Sequence, residues 1–277
     1  MIRPSAVSGT FYHADPQKLK SYIKKALSSV KIPKTILSSI KDPLGYIVPH
    51  AGYVYSGLTA AYAYKIIEKN PVSTLIILGP SHHIFVKGSC VYPEGNFETP
   101  LGNVKVNEKV CSFLLKHKDF SVNEEAQLVE HSIEVQLPFL QMVLQKDFKI
   151  VPIIIGSNNL IHFEKLVESF LEIFDRFKDE TFAVIASTDL SRFHPLEVSK
   201  RIDSNFINLV RSLNFKEIIE GINSNQIEAC GAGPVLTTLL LCNTMNKKNV
   251  TVLHHSNSSL HSHNKKRVVG YFSAVIS

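Results

Sequence analysis

Tryptophan is absent from the 277 residues, and the four cysteines at 90, 111, 230 and 242 form neither a CxxC pair nor a dense disulfide framework. A zinc-finger site is therefore not expected. Long apolar runs are lacking too: no window approaches the ~18 uninterrupted apolar residues of a membrane span. The opening Met1-Ile2-Arg3-Pro4-Ser5 has no signal-peptide core, so the expectation is a cytoplasmic protein with no membrane partner. No GxGxxG or GxxxxGK[ST] follows any strand-like run, which argues against a phosphate-cradling nucleotide site. GxSxG is missing as well, which disfavours a hydrolase of the nucleophile-elbow type.

What remains is ordinary globular composition, 44% hydrophobic and 19% charged, with a length that can bury a sizeable core. The net charge is +6. Its basic residues are scattered as Lys24-Lys25, Lys247-Lys248 and Lys265-Lys266-Arg267 without interleaved aromatics, so no nucleic-acid partner is expected. Strand-like and helical runs alternate throughout without a repeat or linker. This predicts one three-layer α/β domain over residues 1–277 with a central, mostly parallel sheet.

Several strand-like runs end at chemistry-bearing residues. Tyr46-Ile47-Val48 leads into Pro49-His50-Ala51-Gly52, and Leu75-Ile76-Ile77-Leu78 into Gly79-Pro80-Ser81-His82-His83. Phe182-Ala183-Val184-Ile185-Ala186 leads into Ser187-Thr188-Asp189-Leu190-Ser191-Arg192-Phe193-His194. Open parallel sheets bind ligands beyond the carboxyl ends of their strands, so these loops can meet although 32 positions separate His50 from His82. Cys230, in Cys230-Gly231-Ala232-Gly233-Pro234, opens an apolar helical stretch, where the dipole favours the thiolate that binds metals. Imidazole is the commonest protein metal ligand, so a metal or acid/base site is the leading expectation.

The local readings leave some roles open. Neighbouring side chains in an extended segment point oppositely, so only one of His82 and His83 is expected to face the site. His131, between Glu130 and Glu134, reads equally as part of a helix-capping cluster or as a pocket wall. Asp189 could cap a helix, bind metal or hold a ligand histidine. His13, His117 and His162 are expected at the surface, Cys111 and Cys242 in the core. A helix is expected over residues 57–69 and a small antiparallel excursion over 88–106.

Arg3-Pro4-Ser5-Ala6-Val7-Ser8-Gly9-Thr10-Phe11-Tyr12, Val48-Pro49-His50-Ala51-Gly52-Tyr53, Gly79-Pro80-Ser81-His82-His83, Glu130-His131-Ser132-Ile133-Glu134, Ser187-Thr188-Asp189-Leu190-Ser191 and Cys230-Gly231 together resemble the Memo family. Prokaryotic members of that family are known as AmmeMemoRadiSam system protein B. The co-linear resemblance spans nearly the whole chain. It implies an α/β fold like that of class III extradiol dioxygenases, which use non-heme Fe(II). It also implies that His50, His82 and Cys230 bind iron or copper, with Asp189 as a pocket acid. Family context adds AMMECR-type and radical-SAM proteins as partners, besides a small-molecule substrate.

The family's usual histidine shortly after the aspartate is replaced here by Arg192, with His194 the nearest imidazole. An arginine stays protonated and cannot accept a proton, but it can pair with an anion. The leading expectation is therefore a mononuclear iron or copper enzyme of redox type. Asp189, His131 and His194 would serve it as acid/base or supporting groups. The alternatives are a metal- or peptide-binding partner protein without turnover and, more weakly, a zinc hydrolase.

Overall fold

A computed structural model describes residues 1–144, 147–157 and 159–277. Its strands run over Ile2–Arg3 (β1), Gly45–Val48 (β2), Thr74–Pro80 (β3), Ser89–Val91 (β4), Asn96–Thr99 (β5), Gly102–Val106 (β6), Phe120–Ser121 (β7), Lys149–Ile155 (β8), Phe182–Ser187 (β9), Arg192–His194 (β10), Val250–Asn257 (β11) and Val268–Ile276 (β12). They form one sheet in the order β1-β5-β6-β8-β3-β9-β2-β12-β10, with β11 on β12 and β4 on β8 and β7. The middle of the sheet, β6-β8-β3-β9-β2, is parallel throughout. Antiparallel pairing is concentrated toward its two sides.

Burial explains why those middle strands are continuous runs of Ile, Leu and Val rather than alternating ones. Every residue of β2 and β3 is buried, and all but the first of β8 and β9. Strands covered on both faces have no polar side to present. The covering helices follow from chain direction. From β2 to β3 the chain skips past β9, and from β8 to β9 it skips back past β3. Right-handed crossovers in opposite directions put the Tyr53–Lys69 and Leu160–Arg176 helices on opposite faces, which makes the expected three layers. The Ala232–Thr244 helix packs beside the latter, and its Cys242 lies at the back of Gly45. Each fully buried Leu, Ile or Val contributes roughly 1.5–3 kcal/mol, so this central block carries most of the fold's stabilisation.

Two sequence expectations shift in detail. The helix expected from residue 57 starts at Tyr53, four residues earlier, because its first amide donates to the Phe11 carbonyl (2.7 Å) instead of needing a side-chain cap. The excursion over 88–106 is split: β5 and β6 form an antiparallel hairpin, while β4 pairs with β8 and β7. Cys111 and Cys242 are buried as expected. His162 is a correction: it is 8% exposed, not at the surface. Its ring sits 2.8 Å from Ser89 Oγ and 3.8 Å from Asp119, which satisfies an imidazole inside the helix–sheet seam.

The amino-terminal segment is tied down by charge. Arg3 is fully buried and stacks its guanidinium 4.8 Å from the Phe97 ring centroid. Its N–H groups donate to Glu134 Oε2 (2.5 Å) and to the carbonyls of Gln127 (2.8 Å) and Glu130 (2.7 Å). Glu134 also accepts from the Ala6 amide (2.7 Å), the Val7 amide (3.1 Å) and the Tyr12 hydroxyl (2.5 Å). A buried pair of this kind costs most when half of it is removed. Arg3→Met should therefore lower unfolding free energy by roughly 3–5 kcal/mol. Urea denaturation with an unchanged m-value is the measurement, and a loss below about 1 kcal/mol would mean the pair is not a determinant of the fold.

Candidate metal centre

The parallel register brings the candidate loops to one level. Val48 pairs with Ser187 and Leu78 with Ala186, so β2, β9 and β3 end side by side and release His50, Asp189 and His82 at the same edge. His131 comes from a separate element, the short His131–Glu134 helix. Gly79 admits that helix, since a Cβ there would sit 2.3 Å from Ser132 Oγ. Ring nitrogens of His50, His82 and His131 all lie within 4.8 Å of one another. The His82 and His131 rings stack at 4.6 Å, and the His50 ring stands edge-on to both.

Hydrogen bonding fixes which nitrogen of His50 faces the site. Ser187 Oγ donates to the Ser132 carbonyl (2.7 Å) and receives the Gln136 side-chain N–H (2.9 Å). With its own proton committed, it accepts from His50 Nδ1 at 2.8 Å. The lone pair of His50 is then on Nε2, which points at Cys230 Sγ 3.2 Å away. Complete burial pushes the His50 pKa well below the usual histidine range, and the neighbouring His82, His131 and Arg192 add to this. A neutral imidazole with its free nitrogen aimed inward is the form that binds metal.

His82 is oriented by Glu130. One carboxylate oxygen accepts the His82 backbone N–H (2.8 Å) and the other accepts Nδ1–H (2.9 Å) while also capping Ser132 N (2.8 Å). Burial favours neutral Glu130, but its bonds to His82 and Ser132 win and bring its pKa down to about 2. His82 Nε2 is buried with no hydrogen-bond partner among the described residues. Burial opposes a charge on this ring, yet the Cys230 sulfur and Glu130 outweigh it and push the pKa up to about 9. An orphaned, buried imidazole nitrogen beside another imidazole and a thiol is the arrangement a soft or borderline cation satisfies.

Cys230 reaches the site because Gly231 follows it. A Cβ at Gly231 would lie 2.2 Å from the Ser187 carbonyl, and its amide donates to Thr188 Oγ1 (2.9 Å). Two donors converge on Sγ: the Asp189 backbone N–H (3.3 Å) and Arg192 NH2 (3.2 Å). Asp189, 3% exposed, accepts the His50 backbone N–H at 2.9 Å and sits 4.0 Å from His50 Nε2. Burial pushes its carboxyl pKa up, and Arg192 opposes that. A cleft of about 300 Å³ opens beside the cluster, lined in part by His82, His83, Phe85, Ile155 and Cys230.

The structure thus gathers His50, His82, His131, Asp189, Cys230 and Arg192. His194 stays apart: its ring bonds Glu228 at 2.7 Å, and none of its hydrogen bonds involves the cluster. Of the adjacent pair, His82 faces inward and His83 is exposed at the rim. Glu130 caps as one reading of that segment expected, but it also orients His82, while Glu134 belongs to Arg3. Sequence reasoning missed Ser187 and Gln136, whose positions at a strand end and beyond a short helix carry no distinguishing local signal.

Comparison with known proteins agrees with the quoted motifs. The profile of the Memo-like protein family matches residues 3–275. The chain belongs to the Memo family. A MEMO1 family protein of Saccharolobus islandicus is 37% identical over 281 residues, covering 99% of both chains. One from Sulfurisphaera tokodaii is 38% identical over 280 residues, covering 99% of this chain and 98% of that one. Among solved structures, an uncharacterized protein JW3007 from Escherichia coli K12 aligns over 84% of this chain and 99% of its own, at 13% identity and a TM-score of 0.46.

Two outcomes follow from the geometry. Gly231→Ala should cost about 1–3 kcal/mol, because the new methyl meets a backbone carbonyl that cannot swing aside. A stability within experimental error of the parent would show that the Cys230 loop does not depend on this contact. The second concerns acid. His131 is depressed to about 4, by burial first, with His82 and His83 adding and Glu130 opposing. Its folded value lies below its unfolded value of ~6.5, so the stability tied to the neutral ring is present above pH 6.5 and lost as pH falls through 4. His50 acts in the same direction; His82, raised to about 9, acts oppositely and loses its contribution as pH rises through that value. Urea midpoints of metal-free protein should fall between pH 6.5 and 4, and fall less in His131→Gln; parallel profiles would remove His131 from the acid response.

Proposed function

We propose that this chain is a mononuclear metal protein of redox type, holding iron or copper through His50 Nε2, His82 Nε2 and Cys230 Sγ, with His131 as an adjacent fourth donor. The observation that carries the reading is the buried, unpartnered Nε2 of His82, aimed into a space bordered by two other imidazoles. Two imidazoles and a sulfur form a softer set than two imidazoles and a carboxylate, and suit copper or Fe(II) better than Mg²⁺ or Ca²⁺. Zinc is the weaker fit to a redox role, since it has no redox chemistry. Bound iron or copper would supply electron transfer or oxygen activation. The protein's own part is visible in its side chains. Ser187 and Glu130 hold the two rings by their far nitrogens, Asp189 braces the His50 backbone, and burial excludes bulk water.

A second reading is favoured by Arg192. It stands where a proton acceptor is expected, it cannot accept a proton, and His194 is engaged with Glu228 instead. This supports a site that binds metal without acid/base turnover and serves a partner protein. AMMECR-type and radical-SAM proteins are the partners to test first.

Untagged protein should purify with close to one equivalent of iron or copper by mass spectrometry, retained through dialysis. His50→Ala combined with Cys230→Ala should abolish it, and Glu130→Gln should weaken affinity about 10–100-fold by releasing His82. Metal content unchanged in the double variant would sink the ligand assignment. Oxygen uptake without any partner would separate the enzyme reading from the partner-protein one.

A further inference from the structure

A cationic side chain bonds the sulfur of Cys230, and the backbone around it is built to keep it there. The segment from Asp189 to Arg192 is clamped at three points. The Leu190 amide donates to the Gly270 carbonyl (2.9 Å), the Gly270 amide to the Ser191 carbonyl (3.0 Å), and the Ser191 amide to Oδ1 of the buried Asp203 (3.0 Å). Gly270 leaves room for that carboxylate, since a Cβ there would lie 1.9 Å from Asp203 Oδ2. β10 then pairs Arg192 with Val269 and shifts register before His194. Between them Phe193 takes φ +65°, a strained conformation for an aromatic residue, and its ring lies 4.9 Å from the Arg267 guanidinium. Arg192 NH2 ends 3.2 Å from Cys230 Sγ and 3.5 Å from Asp189 Oδ2. It carries two N–H groups, enough for both.

This contact differs in kind from those that hold the imidazoles. His50 is oriented by a neutral hydroxyl on Ser187 and His82 by the carboxylate of Glu130, whereas Cys230 is bonded by a cation. Orientation alone does not call for one, because the Asp189 backbone N–H already reaches Sγ at 3.3 Å. A guanidinium beside a ligand sulfur has an electronic consequence instead. Two imidazoles and a thiolate carry one negative charge, so each electron removed from a metal they hold leaves an uncompensated positive charge. A fixed cation 3.2 Å from the sulfur opposes that charge, and its N–H draws electron density from the donor that most favours the oxidised ion. Hydrogen bonding to ligand sulfur is one of the levers that set a metal's reduction potential. The same field acts on the rings: burial leads the depression of the His50 and His131 pKa values, and Arg192 adds to it. Asp189 tempers the charge from 3.5 Å without taking the N–H from sulfur.

We propose that Arg192 sets the oxidation state of the bound metal: through its bond to Cys230 Sγ it makes the site prefer the reduced ion, Cu(I) over Cu(II) or Fe(II) over Fe(III). This role rests on the metal-site reading and deepens it. Arg192 acts through a ligand atom, so it is a tuning residue rather than a catalytic one.

The probes are copper and iron, each loaded onto the full chain as the reduced and the oxidised ion. Chelator competition reads the affinity for each ion, and a spectroelectrochemical titration, in which the electrode supplies the electron, reads the potential of the bound couple. Arg192→Met keeps the aliphatic stem but removes the charge and the donor. It should lower the ratio of reduced-ion to oxidised-ion affinity about tenfold, which takes about 59 mV off the potential of a one-electron couple. Arg192→Lys keeps a charge and a donor and should recover part of the ratio. A merely structural role would weaken both ions alike and leave the ratio and the potential unmoved. That result, or a potential that rises in Arg192→Met, overturns the proposal while the bound metal keeps the metal reading standing. A parent protein that takes up neither metal at close to one equivalent overturns the metal reading, and this proposal with it.

Discussion

Everything in this molecule is hung on the level endings of three parallel strands. The ladder from Gly45–Val184 to Val48–Ser187, and from Thr74–Phe182 to Leu78–Ala186, leaves β2, β9 and β3 no freedom to slide. A slip of one residue would send every side chain to the opposite covered face, where it would have to repack against helices shaped for another side chain. Because the register is fixed so strongly, the first residues beyond the strands are fixed as well. His50, Asp189 and His82 therefore converge without any contact between them having to be strong. The site's precision is borrowed from the core.

What the strands do not fix, buried charge does. Glu130 spends both oxygens on His82 and on the amide that opens the His131–Glu134 helix, so one carboxylate sets two of the three imidazoles. Arg3 in turn holds the Glu130 carbonyl and the Glu134 carboxylate. The chain from Arg3 through that helix to His82 is an unbroken series of charge-assisted bonds in a dry environment. Such groups are expensive to bury singly and hold geometry well when all are satisfied. This gives the amino-terminal segment, far from the site in sequence, a direct part in positioning it.

The strand-end rule made much of this readable in advance, for a physical reason. β-branched runs closed by Gly and Pro mark strand ends, and in an α/β sheet strand ends are where loops from distant positions meet. His50, His82, Asp189 and the three-layer fold followed from that rule. Cys230 was legible through the glycine behind it, since only a residue without Cβ lets that loop lie on the Ser187 carbonyl. His131 was left between two roles because its placement depends on contacts of Ser132 and Glu130 with residues about 50 positions away. His162 was misjudged for the same reason: its partners Ser89 and Asp119 sit 73 and 43 residues earlier and leave no periodic trace. His194 looked like a stand-in for the missing imidazole because sequence distance to Asp189 is short. The register shift in β10 sends it to Glu228 instead.

Seen as charges, two of the site's three imidazoles are held neutral near pH 7. His50 is held neutral by burial, and His131 is depressed to about 4, so neither exchanges a proton near pH 7. His82 is raised to about 9 by the Cys230 sulfur and by Glu130, which holds its Nδ1, so in the metal-free protein its Nε2 carries a proton at pH 7. A cation placed on that nitrogen would compete with the proton for the same lone pair, since each ligand must be deprotonated to bind. Arg192, whose NH2 lies 3.2 Å from Cys230 Sγ, keeps its charge whatever the state of the rings. The metal-free cluster thus sets two neutral rings, His50 and His131, against one charged ring, His82, beside a thiol and a buried carboxyl. Among the described residues, the titratable carboxyl beside His50 Nε2 is Asp189, whose pKa burial pushes up against the opposing pull of Arg192.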